Sequence, residues 1–140
     1  KKQDKVKTSK DTGHEILLVD DHRVNQMVAE GMLKKIGFKV SIAGNGIEAV
    51  KRFQAGGISL ILMDCQMPEM DGFEATEAIR QLEKNEEMVP STIIALTASI
   101  LDDDILRCFD CGMDDYLPKP FRREVLQDKI EKLQLIYQKR

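Results

Sequence analysis

The chain has 140 residues, of which 42% are apolar, 32% charged and 5% aromatic, and its formal net charge is −3. That length fits one domain with a core of its own, and the mixture excludes a fibrous or disordered chain. No apolar run approaches the ~18 residues of a membrane span, and residues 1–14 contain no hydrophobic block of the signal-peptide kind. Five Lys and two Asp give residues 1–14 a charge of +3 and leave −6 for residues 15–140. The leader therefore reads as a solvated linker and residues 15–138 as the folded domain. Its acidic balance argues against nucleic-acid contact, and no membrane contact by this domain is expected. A cytoplasmic setting is expected, and because the first residue is Lys, the chain is expected to be part of a longer protein. Three cysteines fit a reducing compartment, and the Cys108-x-x-Cys111 spacing reads as two packing thiols one helical turn apart.

From Glu15 onward, short apolar runs alternate with amphipathic stretches, which predicts an α/β fold of five βα units around a five-stranded parallel sheet. The strands are expected at Ile16–Asp20, Lys39–Ala43, Ser59–Asp64, Thr92–Thr97 and Asp115–Leu117. The first, third and fourth are continuous apolar runs, as central parallel strands require. The first helix is predicted over Val24–Ile36, with Val24, Met27, Val28, Met32 and Ile36 on or near one stripe and a stop at Gly37. Asn45 with Glu48, and Asp71 with Glu74, have the spacing of helix N-caps and place helices at Gly46–Gln54 and Gly72–Leu82. Two further helices are expected near Ile100–Cys111 and over Arg122–Gln138.

Ligands of an open parallel sheet bind beyond the carboxyl ends of the strands, where strand order reverses. The residues falling there are Asp20, Asp21, Asp64, Thr97 and Lys119. Three carboxylates on one edge repel one another, so a cation is needed to hold them ionised together. All-oxygen donors select a hard ion, and Mg²⁺ fits because it retains coordination sites for phosphoryl oxygens. Mn²⁺ is a possible substitute. A carboxylate is already ionised at pH 7, so Asp64 needs no general base to attack phosphorus, and no catalytic His or Cys is required. Mg²⁺, Lys119 and the Thr97 hydroxyl would neutralise charge on the transferred group.

At these residues the chain resembles a response-regulator receiver domain. The resemblance is carried by Asp20-Asp21, the run Met63-Asp64-Cys65-Gln66-Met67-Pro68-Glu69-Met70-Asp71-Gly72, Leu96-Thr97-Ala98 and Lys119-Pro120-Phe121. It covers roughly residues 15–136. It implies a flavodoxin-like (βα)5 fold with strand order 2-1-3-4-5, and a phosphoryl group passed from a phosphohistidine to Asp64. It further implies that Asp21, Asp64 and the Gln66 backbone carbonyl hold Mg²⁺ directly, with Asp20 acting through water. Thr97, Ala98 and Lys119 would contact the phosphoryl group, the Lys119–Pro120 bond would be cis, and Tyr116 would turn inward as Thr97 moves. Val24-Asn25-Gln26 and Ala95-Leu96-Thr97-Ala98-Ser99 look most like receivers of hybrid histidine kinases. The implied partners are a histidine kinase core or a histidine phosphotransfer domain, docking near the first helix. Such a domain accepts one phosphoryl group per chain and catalyses its own phosphorylation and dephosphorylation, without multiple turnover on small substrates.

Three other readings fit parts of the sequence. Gly44-x-Gly46-x-x-Ala49, followed by Asp64, matches a short dinucleotide-binding pattern but leaves Asp20, Asp21 and Lys119 unexplained. An Asp-nucleophile phosphohydrolase would need a second acid near the nucleophile, where neutral Gln66 stands. A receiver-like binding module that is never phosphorylated is disfavoured because every expected site residue is present. His14, His22 and the methionines read as surface or packing residues.

Overall fold

The computed structural model describes residues 15–138, with side chains through Leu133. The leader expected over residues 1–14 lies outside the described residues. Five strands, β1 (Glu15–Val19), β2 (Val40–Ala43), β3 (Ile58–Asp64), β4 (Thr92–Thr97) and β5 (Asp115–Pro118), alternate with five helices. The helices are α1 (Arg23–Ile36), α2 (Gly46–Gln54), α3 (Gly72–Asn85), α4 (Asp102–Asp110) and α5 (Arg123–Gln138). The strands form one parallel sheet in the order β2-β1-β3-β4-β5. Among the described residues, no helix is long and apolar enough to cross a membrane.

Strand side chains alternate, so each central strand feeds two cores. Leu17, Val19, Ile61, Met63, Ile93 and Ala95 point to one face and meet Ala49 and Phe53 of α2, Ala75 and Ile79 of α3, and Cys108 of α4. Ile16, Leu18, Leu60, Leu62, Ile94 and Leu96 point to the other face, against Ala29 and Leu33 of α1 and Leu126 and Ile130 of α5. This two-sided burial explains why β1, β3 and β4 read as unbroken apolar runs.

The helix starts follow their caps. Asn45 Oδ1 accepts from Glu48 N at 2.9 Å. Asp71 Oδ1 accepts from Glu74 N at 2.9 Å, while Glu74 Oε1 accepts from Asp71 N at 3.1 Å, a reciprocal capping box. α3 runs to Asn85, beyond the expected end at Leu82.

The stripe expected on α1 divides. Met32 and Ile36 pack inward beside buried Ala29 and Leu33, but Val24, Met27 and Val28 remain 70%, 57% and 53% exposed. At 3.6 residues per turn the apolar residues of α1 span more of its circumference than one sheet can cover. The core takes the Ala29-Leu33-Ile36 side and leaves the other facing solvent.

At the amino ends of the strands, Arg80 of α3 binds three segments together. Its guanidinium donates to Gly112 O, Ser91 O and Glu83 Oε1, each at 2.8 Å, and to Asp114 Oδ2 at 2.9 Å. Glu83, which is buried, also accepts from Ser91 N and Oγ at 2.7 and 2.8 Å. A buried carboxylate is tolerable here because its donors are supplied in full.

Candidate functional site

Strand order reverses between β1, which continues to β2 on one side, and β3 on the other. Val19 is in register with Met63, so the residues that follow, Asp20 and Asp64, emerge side by side at the reversal point. Thr97 is in register with Pro118, and Lys119 N donates to Thr97 O at 2.7 Å. The extended backbone thereby carries Lys119 back toward the acids. Its Nζ lies 3.3 Å from Asp64 Oδ1 and 3.9 Å from Asp20 Oδ2. The Lys119–Pro120 peptide is cis.

Asp20 and Asp64 are 2% and 4% exposed, an expensive position for two negative charges. Burial pushes the Asp64 carboxyl above its ordinary value, the Lys119 charge works against that rise, and Asp20 adds to it. Gln66 N donates to Asp64 Oδ1 at 3.3 Å. Asp20 Oδ1 accepts from His22 N at 2.9 Å, while its backbone carbonyl accepts from Gln26 Nε2 at 2.6 Å. The thiol of neighbouring Cys65 is pushed up by burial, so while it is enclosed it stays protonated at neutral pH.

Asp21 Oδ1 is buried and accepts no hydrogen bond. His22 Nδ1 lies 3.1 Å away, close enough for an ion pair when the imidazole is protonated but not aligned as a donor. A buried carboxylate oxygen without a donor is a group that still requires a positive partner. Oxygen atoms of Asp20 and Asp21 and a nitrogen of His22 lie within 4.8 Å of one another, close enough to share one ion. These donors fit a divalent cation, with Asp64 adjoining them through Asp20 and Lys119. His22, read from the sequence as an ordinary surface residue, is largely exposed beside the Asp21 carboxylate.

The remaining predicted residues occupy the rim. Thr97 Oγ1 donates to Ser99 O and accepts from Ser99 N, both at 3.0 Å, and Ser99 Oγ donates to Asp104 Oδ2 at 2.5 Å. The Thr97 hydroxyl is thus engaged with the loop leading to α4. Ala98 is exposed and Tyr116 half-buried. The Tyr116 ring meets Phe109 of α4 edge-on at a centroid distance of 6.4 Å.

Two glycines contribute in ways the motif reading missed. A Cβ on Gly72 would stand 2.1 Å from the Asp64 carbonyl oxygen, so the start of α3 can lie against the backbone of Asp64 because residue 72 lacks a side chain. A Cβ on Gly46 would stand 2.5 Å from Met70 O, and Gly46 N donates to that oxygen at 3.1 Å. Contact between the α2 start and the β3–α3 loop therefore accounts for Gly46 in the pattern that resembles a dinucleotide fingerprint.

The response regulator receiver domain family matches residues 16–131 of this chain. Hybrid signal transduction histidine kinase B of Dictyostelium discoideum is 47% identical over 126 residues, a match covering 84% of this chain and 6% of that protein. Probable histidine kinase 6 of Oryza sativa subsp. japonica is 42% identical over 137 residues, covering 86% of this chain and 14% of that protein. The chain thus spans a small fraction of the curated relatives it matches. Among solved structures, the receiver domain of a sensor histidine kinase from Pseudomonas aeruginosa has a magnesium ion coordinated in its active site cleft. It is 44% identical, with a TM-score of 0.76, and the match covers 85% of this chain and 95% of that one. A further match comes from the co-crystal structure of a Saccharomyces cerevisiae histidine phosphotransfer signalling protein and the receiver domain of its downstream response regulator. This match is 36% identical, with a TM-score of 0.80, and covers 84% of this chain and 86% of that one.

Proposed function

The chain belongs to the response regulator receiver domain family, and from that membership we propose that Asp64 is the residue that takes the phosphoryl group from a phosphohistidine. The observation that carries this reading is the placement of buried Asp64 at the reversal point, with Lys119 Nζ 3.3 Å from its Oδ1. Lys119 favours the ionised, nucleophilic form of Asp64 against the effect of burial. After transfer the same ammonium faces a phosphoryl group of higher charge, so its attraction strengthens as the reaction proceeds. Asp20 and Asp21, with Asp64, would hold Mg²⁺, and Mn²⁺ in its place. The bound ion would neutralise phosphoryl oxygen charge while leaving Asp64 free to attack.

To reach an aspartyl phosphate, the Thr97 hydroxyl has to leave its two bonds with Ser99. Neutral bonds of that kind contribute about 1 kcal/mol each, whereas a bond to an ionised acceptor contributes about 1.5–3 kcal/mol. Two bonds lost and one gained are of similar size, so the exchange costs little and frees the loop before α4. Phe109 carries that movement to Tyr116, giving the fold a route from Asp64 to the α4–β5 face.

The exposed side of α1 supplies the surface for a histidine-bearing partner. Val28 also lines a cleft of about 460 Å³ with Asn25, Met32, Phe121, Asp20 and Lys119, so apolar docking would adjoin the charged site. A receiver in the cytoplasmic part of a hybrid histidine kinase fits this surface. Intact-mass analysis after incubation with acetyl phosphate tests the reading. One Mg²⁺-dependent phosphoryl adduct is expected, and it should be absent from Asp64→Asn. An adduct that survives in Asp64→Asn would falsify the assignment.

A further inference from the structure

The three thiols have no part in the chemistry at Asp64, and their spacing in sequence pairs the wrong two. Cys108 and Cys111 lie one helical turn apart, but Cys111 Sγ turns onto the Cys108 carbonyl oxygen at 3.2 Å. Cys108 Sγ instead faces Cys65 Sγ across 3.9 Å. These two sulfurs approach from different layers of the fold, and both residues are enclosed, Cys65 at 4% and Cys108 at 1% exposure.

The two sides of the contact are anchored unequally. Cys65 directly follows Asp64, and its backbone is held by Cys65 N to Leu96 O at 3.1 Å and Gly72 N to Cys65 O at 3.0 Å. α4 has nine residues, its N-cap position Leu101 provides no side-chain cap, and among the described residues Cys108 is its one buried side chain. Short helices with few buried contacts open locally at low free energy. Opening of α4 therefore exposes Cys108 and uncovers the Cys65 sulfur that it packs against, while the strand end stays in place, and reclosure brings the two sulfurs together.

We propose that Cys65 and Cys108 form a reversible intramolecular disulfide under hydrogen peroxide, and that this bond pins α4 to the exit of β3. In the first step the Cys108 sulfur attacks peroxide. An S–O bond forms, the O–O bond breaks, and the departing hydroxide takes the thiol proton as water, leaving a sulfenic acid. The Cys65 sulfur then attacks the Cys108 sulfur. The S–S bond forms, the S–O bond breaks, and hydroxide leaves with the Cys65 proton as a second water. Two thiols are oxidised by two electrons in all, and one peroxide is reduced to two waters. Closing from 3.9 Å to a bond of about 2.05 Å moves α4, because the backbone of Cys65 is held on both sides.

A regulatory effect of the pin on phosphorylation rests on the reading of Asp64 above, whereas the bond and its hold on α4 do not. The test is to treat the 140-residue chain with hydrogen peroxide and to read intact mass, non-reducing peptide maps and hydrogen exchange. Expected are a loss of two hydrogens reversed by dithiothreitol, and a cross-linked peptide joining Cys65 to Cys108. Slower exchange over Asp102–Asp110 should accompany them. Cys111→Ser should behave the same way, while Cys65→Ala and Cys108→Ala should each abolish the cross-link. The peptide map of the unsubstituted chain decides the matter even if a variant fails to fold. Added oxygen without a cross-link, a Cys108–Cys111 linkage, or unchanged exchange over α4 would each overturn the proposal. A chain that cross-links as described but takes no phosphoryl group on Asp64 would refute the function reading alone.

Discussion

Replacing Lys119 with Met leaves two nearly buried carboxylates without the ammonium they share, and the consequence depends on pH. Lys119 Nζ stands 3.3 Å from Asp64 Oδ1 and 3.9 Å from Asp20 Oδ2, with the two acid side chains 6% and 3% exposed and the Lys 23%. Removing one partner of a buried pair typically costs about 3–5 kcal/mol. Here the loss has a ceiling, because the folded chain can bind a proton at Asp64, and protonating an ordinary carboxyl at pH 7 costs about 4 kcal/mol. Partial exposure of the ammonium lowers the figure further. The expected loss at pH 7 is therefore about 2–4 kcal/mol. Asp64 already sits above its ordinary value of 3.8, chiefly through burial, and Lys119 opposes the rise. Without Lys119 it rises further. A raised folded value means that the folded chain holds a proton the unfolded chain has released, so stability falls as pH climbs from 3.8 through that folded value. The deficit of Lys119→Met should therefore be largest at neutral pH and shrink as Asp64 becomes protonated. Urea unfolding of both chains between about pH 4.5 and pH 8 measures it. Parallel stability curves, with a deficit independent of pH, would refute the coupling of Lys119 to Asp64.

Three further expectations follow from other parts of the fold. Mg²⁺ at about 100 times its Kd should stabilise the chain by about 2.7 kcal/mol, seen as a rise in Tm. Asp21→Asn should lose most of that rise, whereas an undiminished rise would remove Asp21 Oδ1 from the ion site. Gly72→Ala should destabilise the fold by about 1–3 kcal/mol through overpacking, because the added carbon meets the Asp64 carbonyl oxygen at 2.1 Å. Displacement of Asp64 should also slow phosphorylation by about 100-fold, and unchanged rates in a quench assay would show that the α3 start does not position Asp64. Arg80→Met should cost about 3 kcal/mol by removing the cation paired with buried Glu83. Calorimetric Mg²⁺ titration should remain unchanged, since the Arg80 clamp lies at the opposite strand ends, and a weakened titration would reveal coupling between the two ends.

Elements with a local cause were legible. Asn45 and Asp71 announced α2 and α3 because a cap is satisfied within four residues, and β3 and β4 announced themselves by apolar runs matched to burial on both faces. α1 was legible in extent but not in orientation. Its apolar residues cover more than one face, and the placement of Ala29 and Leu33 against the sheet is what leaves Val24, Met27 and Val28 outside. The Arg80 clamp escaped notice because its partners Ser91, Gly112 and Asp114 lie on separate segments with no shared period.

The site divides the same way. Sequence alone determined which chemical groups stand at the strand ends, because strand periodicity and topology put Asp20, Asp64, Thr97 and Lys119 on one edge. Tertiary structure decided their mutual distances and their surroundings. It set the ammonium 3.3 Å from Asp64, left the buried oxygen of Asp21 without a donor, and tied the Thr97 hydroxyl to Ser99. It also paired Cys108 with Cys65 across the fold in place of Cys111 beside it in sequence. Spacing reports neighbours along one element, whereas side-chain contacts between elements depend on how helices are rotated and packed against the sheet.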